Sequence, residues 1–345
     1  MDRPHTHLAR ELRALGEPAP VAAAPSETAF LAERFLAWRD RQAPGWCAHL
    51  SFIKPHPPLV AAAAFHAAVH ADDVPAPVGG SGAETAALHP YLGVLAAQPR
   101  AASWWHKPAD DSDASLRRAR AVHYGLIQHV DAEIGRVVAA LEARGELDDT
   151  LAVVTSDHGA MLGDHGLWGK AGFFAEAFHV PLVVRGPGVA HGRRVDAVTE
   201  HVDLLPTLVE ALGGEVPLQA DGRALTPWLA GEVPPHWRRA ALVEHDFRDV
   251  ENPVFERALG LTSDHCQLAA PIGPELAYVH FNGLPPLAFD LARDPAMTRA
   301  IAAERAHAPA VLEAAQAMLT RRMAAAERRL TGAKLTAAGV VGRFD

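Results

Sequence analysis

Residues 151–170, LAVVTSDHGAMLGDHGLWGK, hold most of the side chains that could do chemistry. An apolar, β-branched run leads directly into Asp157 and His158, and carboxylates and imidazoles are both ligand types for divalent cations. Ligands of open α/β sheets bind beyond the carboxyl ends of the strands, so this strand end is a suitable place for a metal site. The structural alternative is an Asp157 that only caps the turn after the strand.

A second Gly-Asp-His-Gly and a lysine complete this segment. We expect Asp164 and His165 to orient the loop rather than to bind a metal directly. Lys170 either contacts an anionic ligand or lies solvated at the surface. His56, within Lys-Pro-His-Pro-Pro, follows an apolar run that the prolines end. Its imidazole therefore lies at a predicted strand exit, or is simply packed by its neighbouring prolines.

Hydrophobic periodicity predicts the elements that must position these side chains. Apolar residues recur at three- and four-residue spacing between 115 and 144, which predicts a long amphipathic helix. Further helices are predicted over 6–16, 27–41, 202–213 and 307–329. Buried strands are predicted over 45–58, where residues 54–58 break the strand, and over 151–157, and a further strand starts at 180. Helix, turn and strand in this order favour a parallel sheet with crossover helices.

The pattern changes near residue 225, where strand-like pieces become short. These pieces, over 238–246, 257–268 and 285–294, predict a small antiparallel sheet that the last helix follows. We therefore predict an α/β domain over 1–225 and a carboxy-terminal α+β subdomain over 226–345. The Gly-Gly-Ser-Gly at 79–82 lacks the strand and helix context of a phosphate loop and is interpreted as a flexible loop.

Composition excludes several classes of protein. The chain has 345 residues and a formal net charge of −9, which argues against a nucleic-acid partner. No apolar run is long enough to span a membrane, and the amino terminus does not look like a secretion signal. Two widely spaced cysteines, Cys47 and Cys266, favour a reduced, cytoplasmic protein. Cys47 is expected to be a small core residue and not a nucleophile.

Several segments together resemble one known family. These are Thr155-Ser-Asp-His-Gly through Lys170, His179-Val-Pro-Leu, Ser51 through Pro58, His123-Tyr through Gly135, and Leu287 through Pro295. As an ordered set they resemble the sulfatase family of the alkaline-phosphatase superfamily, and especially its phosphonate monoester hydrolase and arylsulfatase branch. The resemblance implies an alkaline-phosphatase-like α/β fold with a largely parallel sheet flanked by helices.

The resemblance also implies roles for four residues. Asp157 and His158 match metal ligands, with Ca²⁺ or Mn²⁺ as the expected divalent cation. Lys170 matches a lysine that contacts the anionic substrate, and His56 matches a histidine that reaches the transferred group or its leaving oxygen. Such groups stabilise the charge that develops when a sulfate or phosphoryl ester breaks. The implied partner is a small anionic ester, and a homo-oligomer is left open.

One element of the family's pattern is missing from this sequence. Relatives carry a nucleophile within Cys/Ser-x-Pro-x-Arg, and neither cysteine nor any serine here has that context. Residues 8–16 resemble the helix that follows the nucleophile, so we expect a chain truncated at its amino terminus. We predict a metal-dependent hydrolase of sulfate, phosphate or phosphonate esters whose activity is impaired in this chain. The alternatives are a non-catalytic fragment or pseudoenzyme of the same fold and, less favoured, a phosphomutase-like relative.

Overall fold

The computed structural model describes residues 18–19, 22–23, 26–97, 112–170, 172–217, 219–249, 251–325, 333–337 and 339–342. The helices within these ranges are α1 Glu27–Arg39, α2 Ala63–His66, α3 Gly82–Leu88, α4 Pro90–Ala96, α5 Asp113–Ala143, α6 Ala175–Phe178, α7 Leu204–Ala211, α8 Thr226–Leu229, α9 Val254–Leu259 and α10 Ala308–Ala325. The strands are β1 Ala152–Thr155, β2 Leu182–Arg185, β3 Ala241–Asp246, β4 Gln267–Ile272, β5 Leu276–Phe281, β6 Leu287–Asp290, β7 Ala333–Thr336 and β8 Gly339–Gly342.

The chain forms two compact units that interleave along the sequence. The first comprises Met1–Thr85, Leu95–Leu151 and His158–Lys170, and the second Ala86–Val94, Ala152–Asp157 and Ala171–Asp345. The predicted boundary at residue 225 is not tested by this division and stays a prediction.

The predicted helices are found where the structure describes them. The helix predicted over 27–41 is α1, that over 115–144 is α5, that over 202–213 is α7 and that over 307–329 is α10. The helix predicted over 6–16 lies outside the described residues. Across the described part of the chain, no helix is both long and apolar enough to cross a membrane.

The first unit is built around α5. The Oγ of Ser112 caps the start of this helix by accepting a hydrogen bond from the amide of Ser115 at 3.2 Å. The apolar stripe predicted from the sequence is the buried face, with Val122 and Leu126 almost fully excluded from solvent. Together with Ala119 of the same helix, this face packs on the residues of one cluster: Leu59, Ala61, Phe65, Leu162 and Trp168.

Gly125 allows the chain to approach α5 closely. A Cβ atom at this position would lie 2.0 Å from the carbonyl oxygen of Phe65, which no side chain could tolerate. The glycine therefore lets α2 and its flanking residues lie directly against the helix. This contact places the segment that precedes α2 beside the middle of α5.

The second unit contains a four-stranded antiparallel sheet in the order β3-β4-β5-β6. Tyr278 and Ala288 lie opposite one another on neighbouring strands and contact α10 near Met318. The predicted antiparallel sheet with a following helix is confirmed. One strand-like piece was assigned wrongly, because residues 254–259 form the helix α9, which ends at Gly260 with φ 66°.

The second unit also has an aromatic cluster. Tyr91 contacts the rings of Phe247, Phe255 and Phe281, with centroid distances of 4.8 to 5.5 Å. Tyr91 is fully buried, and Phe281 is nearly so. Burial of these large rings stabilises the sheet through both apolar area and ring packing.

The pairing of β1 with β2 differs from the expectation of a parallel pair. The two strands are antiparallel, and Val154 lies opposite Val183. In the described residues between them, 156–170 and 172–181, the single α-helix is the four-residue α6, and the segment returns the chain in the opposite direction. β1 is also less buried than predicted, since Val154 is 36% exposed, and Val183 on β2 is 60% exposed.

The buried strand predicted over 45–58 is wrong. No residue of this segment belongs to a strand, and Ile53 is 55% exposed. Cys47, expected in the core, is exposed as well. Three prolines between 55 and 58 lack the amide hydrogen that a ladder requires, and the residues around them form turns instead.

Candidate active site

The strand β1 ends just before the predicted metal ligands. The hydroxyl of Thr155 donates a hydrogen bond to the carbonyl of Pro181 at 2.8 Å and lies 3.2 Å from Nε2 of His201. Both contacts fix the end of the strand. Asp157 follows two residues later and is exposed.

The structure brings His158 and Lys170 together. The Nζ atom of Lys170 lies 2.6 Å from Nε2 of His158. The Nδ1 atom of the same ring lies 2.8 Å from the carbonyl oxygen of Gly159 and must donate to it. Nε2 therefore carries the lone pair and accepts a hydrogen bond from the Lys170 ammonium. Both side chains are half-buried, which strengthens this interaction relative to bulk water.

His56 lies in an exposed turn. Its Nδ1 donates to the carbonyl of Pro57 at 2.6 Å, which leaves Nε2 as the nitrogen that can meet a ligand. Its backbone amide donates to the carbonyl of Ile53 at 3.0 Å. The turn thus fixes the ring of His56 locally.

Lys54 supports the same turn and was missed in the sequence. Its ammonium donates to the carbonyls of His56 at 3.1 Å and of Pro58 at 3.0 Å. Burial lowers the pKa of Lys54, and the negative charge of Glu27 partly opposes that shift. The sequence feature that could have identified Lys54 is its position between an apolar run and three prolines.

Asp164 and His165 are buried and orient their loop, in agreement with the sequence interpretation. One carboxylate oxygen of Asp164 accepts from Nη1 of Arg120 at 3.0 Å and from the amide of Val78 at 2.7 Å. The amide of His165 donates to the carbonyl of Val78 at 2.7 Å. Arg120 was missed in the sequence. The feature that could have identified it is a charged residue within the apolar face of α5.

Other histidines and the second cysteine serve the core. Burial, reinforced by the charge of Arg120, lowers the pKa of His123 to about 4. His129 stacks on Phe65 with ring centroids 4.3 Å apart. Cys266 is fully buried, and burial raises the pKa of its thiol. A buried thiol of raised pKa is a poor nucleophile.

Asp157 and His158 fit a divalent cation in the kind of donor they offer. A ligating histidine usually has its other nitrogen fixed by a carbonyl, which is the arrangement of His158 and Gly159. Among the described residues, no group of three or more histidine, cysteine, aspartate or glutamate side chains converges as a metal cage. The assignment of these two residues as metal ligands stays a prediction.

Comparison with known proteins identifies the class. The family model "Sulfatase" matches residues 14–214, and the model "N-sulphoglucosamine sulphohydrolase, C-terminal" matches residues 163–324. The first match covers more than half of the chain. The chain therefore belongs to the sulfatase family, and the family predicted from the sequence is confirmed.

Individual relatives refine this assignment. The chain is 39% identical over 327 residues to the multifunctional alkaline phosphatase superfamily protein PehA of Trinickia caryophylli, covering 92% of this chain and 63% of the relative. It is similar to the phosphonate monoester hydrolase of Agrobacterium radiobacter, with 37% identity, a TM-score of 0.89, and coverage of 96% of this chain and 67% of that one. For the enzyme of Silicibacter pomeroyi, the identity is 33%, the TM-score 0.88 and the coverage 98% and 72%.

The fold class predicted from the sequence is thus confirmed as that of alkaline-phosphatase-like sulfatases. The chain spans about 63% of the length of the curated relative PehA. No residue of the candidate site is tested by these matches.

Proposed function

We propose that this chain binds the anionic group of a phosphonate, phosphate or sulfate ester and belongs to a metal-dependent hydrolase of such esters. The single observation that carries the proposal is the 2.6 Å contact between Lys170 and His158, at the exit of β1. The Lys170 ammonium and the His158 imidazole are groups suited to an anion, and the carboxylate of Asp157, the residue before His158 in the chain, is a ligand type for a divalent cation. The names of the phosphonate monoester hydrolases that the chain resembles support the choice of substrate class.

Each residue has a separate task in this proposal. The Lys170 ammonium neutralises charge on the non-bridging oxygens of the ester, and Nε2 of His56 contacts the leaving oxygen. Asp157 and His158 hold the divalent cation, for which Ca²⁺ or Mn²⁺ is proposed. When bound, such a cation polarises the ester and stabilises the negative charge of the transition state.

A second function is favoured by one observation on the sequence. The 345 residues contain no Cys/Ser-x-Pro-x-Arg. A chain with the anion-binding residues and without that segment would bind anions and catalyse nothing. We therefore expect binding without turnover for these residues taken by themselves.

The test combines turnover with binding. Aryl phosphonate, phosphodiester and aryl sulfate esters are incubated with the chain and Mn²⁺ or Ca²⁺, and inorganic phosphate is titrated by calorimetry. We expect no turnover, and phosphate binding that Lys170→Ala weakens by about tenfold or more, since one charged hydrogen-bond partner is lost. Arg194→Ala, which removes an exposed arginine paired with Asp196, is the matched control and leaves binding unchanged.

Two results would change this conclusion. Metal-dependent turnover that Asp157→Ala abolishes would establish catalysis by the chain itself and refute the non-catalytic alternative. Absence of both turnover and phosphate binding would refute the proposal in both forms.

A further inference from the structure

The loop of residues 161–169, which leads to Lys170, has an unusual backbone. Five of its residues have positive φ, including two that are not glycine, Leu162 at 46° and His165 at 55°. Side chains with a Cβ atom rarely adopt this conformation, because it crowds the neighbouring backbone. Contacts from outside the loop must therefore hold it.

Arg120 supplies the first of these contacts. Its Nη1 atom donates to Oδ1 of Asp164 at 3.0 Å and to the carbonyl of Leu162 at 3.1 Å. The side chains of Arg120 and Asp164 are only 6% and 7% exposed. The buried guanidinium thus binds the loop at Leu162, one of the two residues with positive φ, and at Asp164, which precedes the other, His165.

The segment from Val78 supplies the second contact. Val78 pairs with the loop through both its amide, which donates to Asp164, and its carbonyl, which accepts from His165. The ring of His165 lies over Gly79, where a Cβ atom would come within 2.3 Å of Nδ1. The glycine-rich segment 79–82 was interpreted from the sequence as a flexible loop. In the structure, its first residue, Gly79, provides the surface on which the His165 ring packs.

The loop is closed next to the candidate site. The amide of Met161 donates to the carbonyl of Gly169 at 2.8 Å, and the next residue is Lys170. The direction in which Lys170 leaves the backbone is set by this closure. Whatever fixes residues 161–169 also fixes the backbone position from which the Lys170 side chain extends to His158.

We propose that Arg120 is a positioning residue. Through Asp164 and the carbonyl of Leu162 it holds the 161–169 loop in the conformation that brings the Lys170 ammonium to Nε2 of His158. Its importance for anion binding rests on the proposed function, whereas its effect on the Lys170–His158 contact does not. Residues that orient functional side chains in this way typically change ligand affinity by about ten- to a hundredfold when removed.

The experiment reads the contact and the binding separately. The ¹⁵N chemical shift of His158 Nε2 reports the hydrogen bond from Lys170, with Lys170→Met as the reference for its loss. We expect Arg120→Met to move this signal to the Lys170→Met position and to weaken inorganic phosphate binding about tenfold. Arg120→Lys, which keeps the charge, should restore part of both.

Arg136→Met is the matched control on the same helix. Arg136 pairs with Glu133 and the carbonyl of Ala29 and has no role in the loop. It should leave the ¹⁵N signal and the phosphate affinity unchanged. If Arg120→Met does not fold, Arg120→Lys and Gly79→Ala decide, because Gly79→Ala displaces His165 and should shift the same signal.

An unchanged His158 signal in folded Arg120→Met, or in folded Arg120→Lys and Gly79→Ala together, would overturn the inference. A shifted signal in a protein whose wild type binds no phosphate would refute the proposed function and leave the positioning role standing.

Discussion

Two short segments of the first unit present candidate site residues, and they are held in different ways. The turn that carries His56 is supported from within, since Lys54 donates to carbonyls only two and four residues away. The loop that carries Lys170 is supported from afar, since Arg120 and Val78 lie 44 and 86 residues from Asp164. The turn is exposed at His56, and the loop is buried at Asp164 and His165.

This difference has an energetic consequence. A buried ion pair that loses one partner leaves an uncompensated charge in a region of low dielectric constant. An exposed turn that loses a hydrogen bond can replace it with water. We therefore expect substitutions around the Lys170 loop to affect stability more than substitutions around the His56 turn.

The largest effect is expected for Asp164→Ala. This change leaves the Arg120 guanidinium buried without its carboxylate and also removes the acceptor of the Val78 amide. The free energy of unfolding should fall by about 3–5 kcal/mol, measured by urea denaturation. Asp113→Ala, which removes the exposed partner of Arg117 on α5, is the control and should cost less than about 1 kcal/mol. Equal losses in the two variants would contradict the comparison.

The next effect is a pH dependence from His123, beside Arg120 on α5. Burial lowers the pKa of its ring from 6.5 to about 4, so the unfolded chain takes up this proton at a higher pH than the folded protein. Stability should therefore fall as pH drops from 6.5 toward 4, by about 3 kcal/mol from this group. The measurement compares urea unfolding of wild type and His123→Gln between pH 7 and 4. Parallel pH curves for the two proteins would refute this assignment.

The features that could be predicted from the sequence are those that depend on local contacts, and those that depend on long-range contacts were missed. Local patterns were sufficient for α5, for the antiparallel sheet of the second unit and for the segment that places His158 near Lys170. The packing of His165 on Gly79 is a long-range contact without a local pattern and was missed, and Arg120 was missed although it is a charged residue within the apolar face of α5. The error at 45–58 has a different cause, because the apolar residues before the prolines suggested a buried strand, whereas Cys47 and Ile53 are exposed.

A smaller effect is expected for Lys54→Met in the His56 turn. The change removes a charge that burial disfavours and also two hydrogen bonds to carbonyls. These contributions oppose each other, so the free energy of unfolding should fall by only about 1–2 kcal/mol. Arg41→Met, an exposed cation near the end of α1, is the control and should change stability by less than about 0.5 kcal/mol. A loss as large as that of Asp164→Ala would show that the turn is not supported locally.

The smallest effect concerns the ammonium that the Lys170 loop presents. Nε2 of His158 accepts from Lys170, and the same lone pair would be needed to coordinate a cation. Lys170→Met removes both this competition and a nearby positive charge, so the chain should bind Mn²⁺ about five- to tenfold more tightly. Titration followed by electron paramagnetic resonance measures this affinity without any turnover, and Asp157→Ala should lower it. Weaker Mn²⁺ binding by Lys170→Met would mean that the ammonium supports the cation site instead of competing with it, and His158 would then have to bind a cation through a different arrangement of the loop.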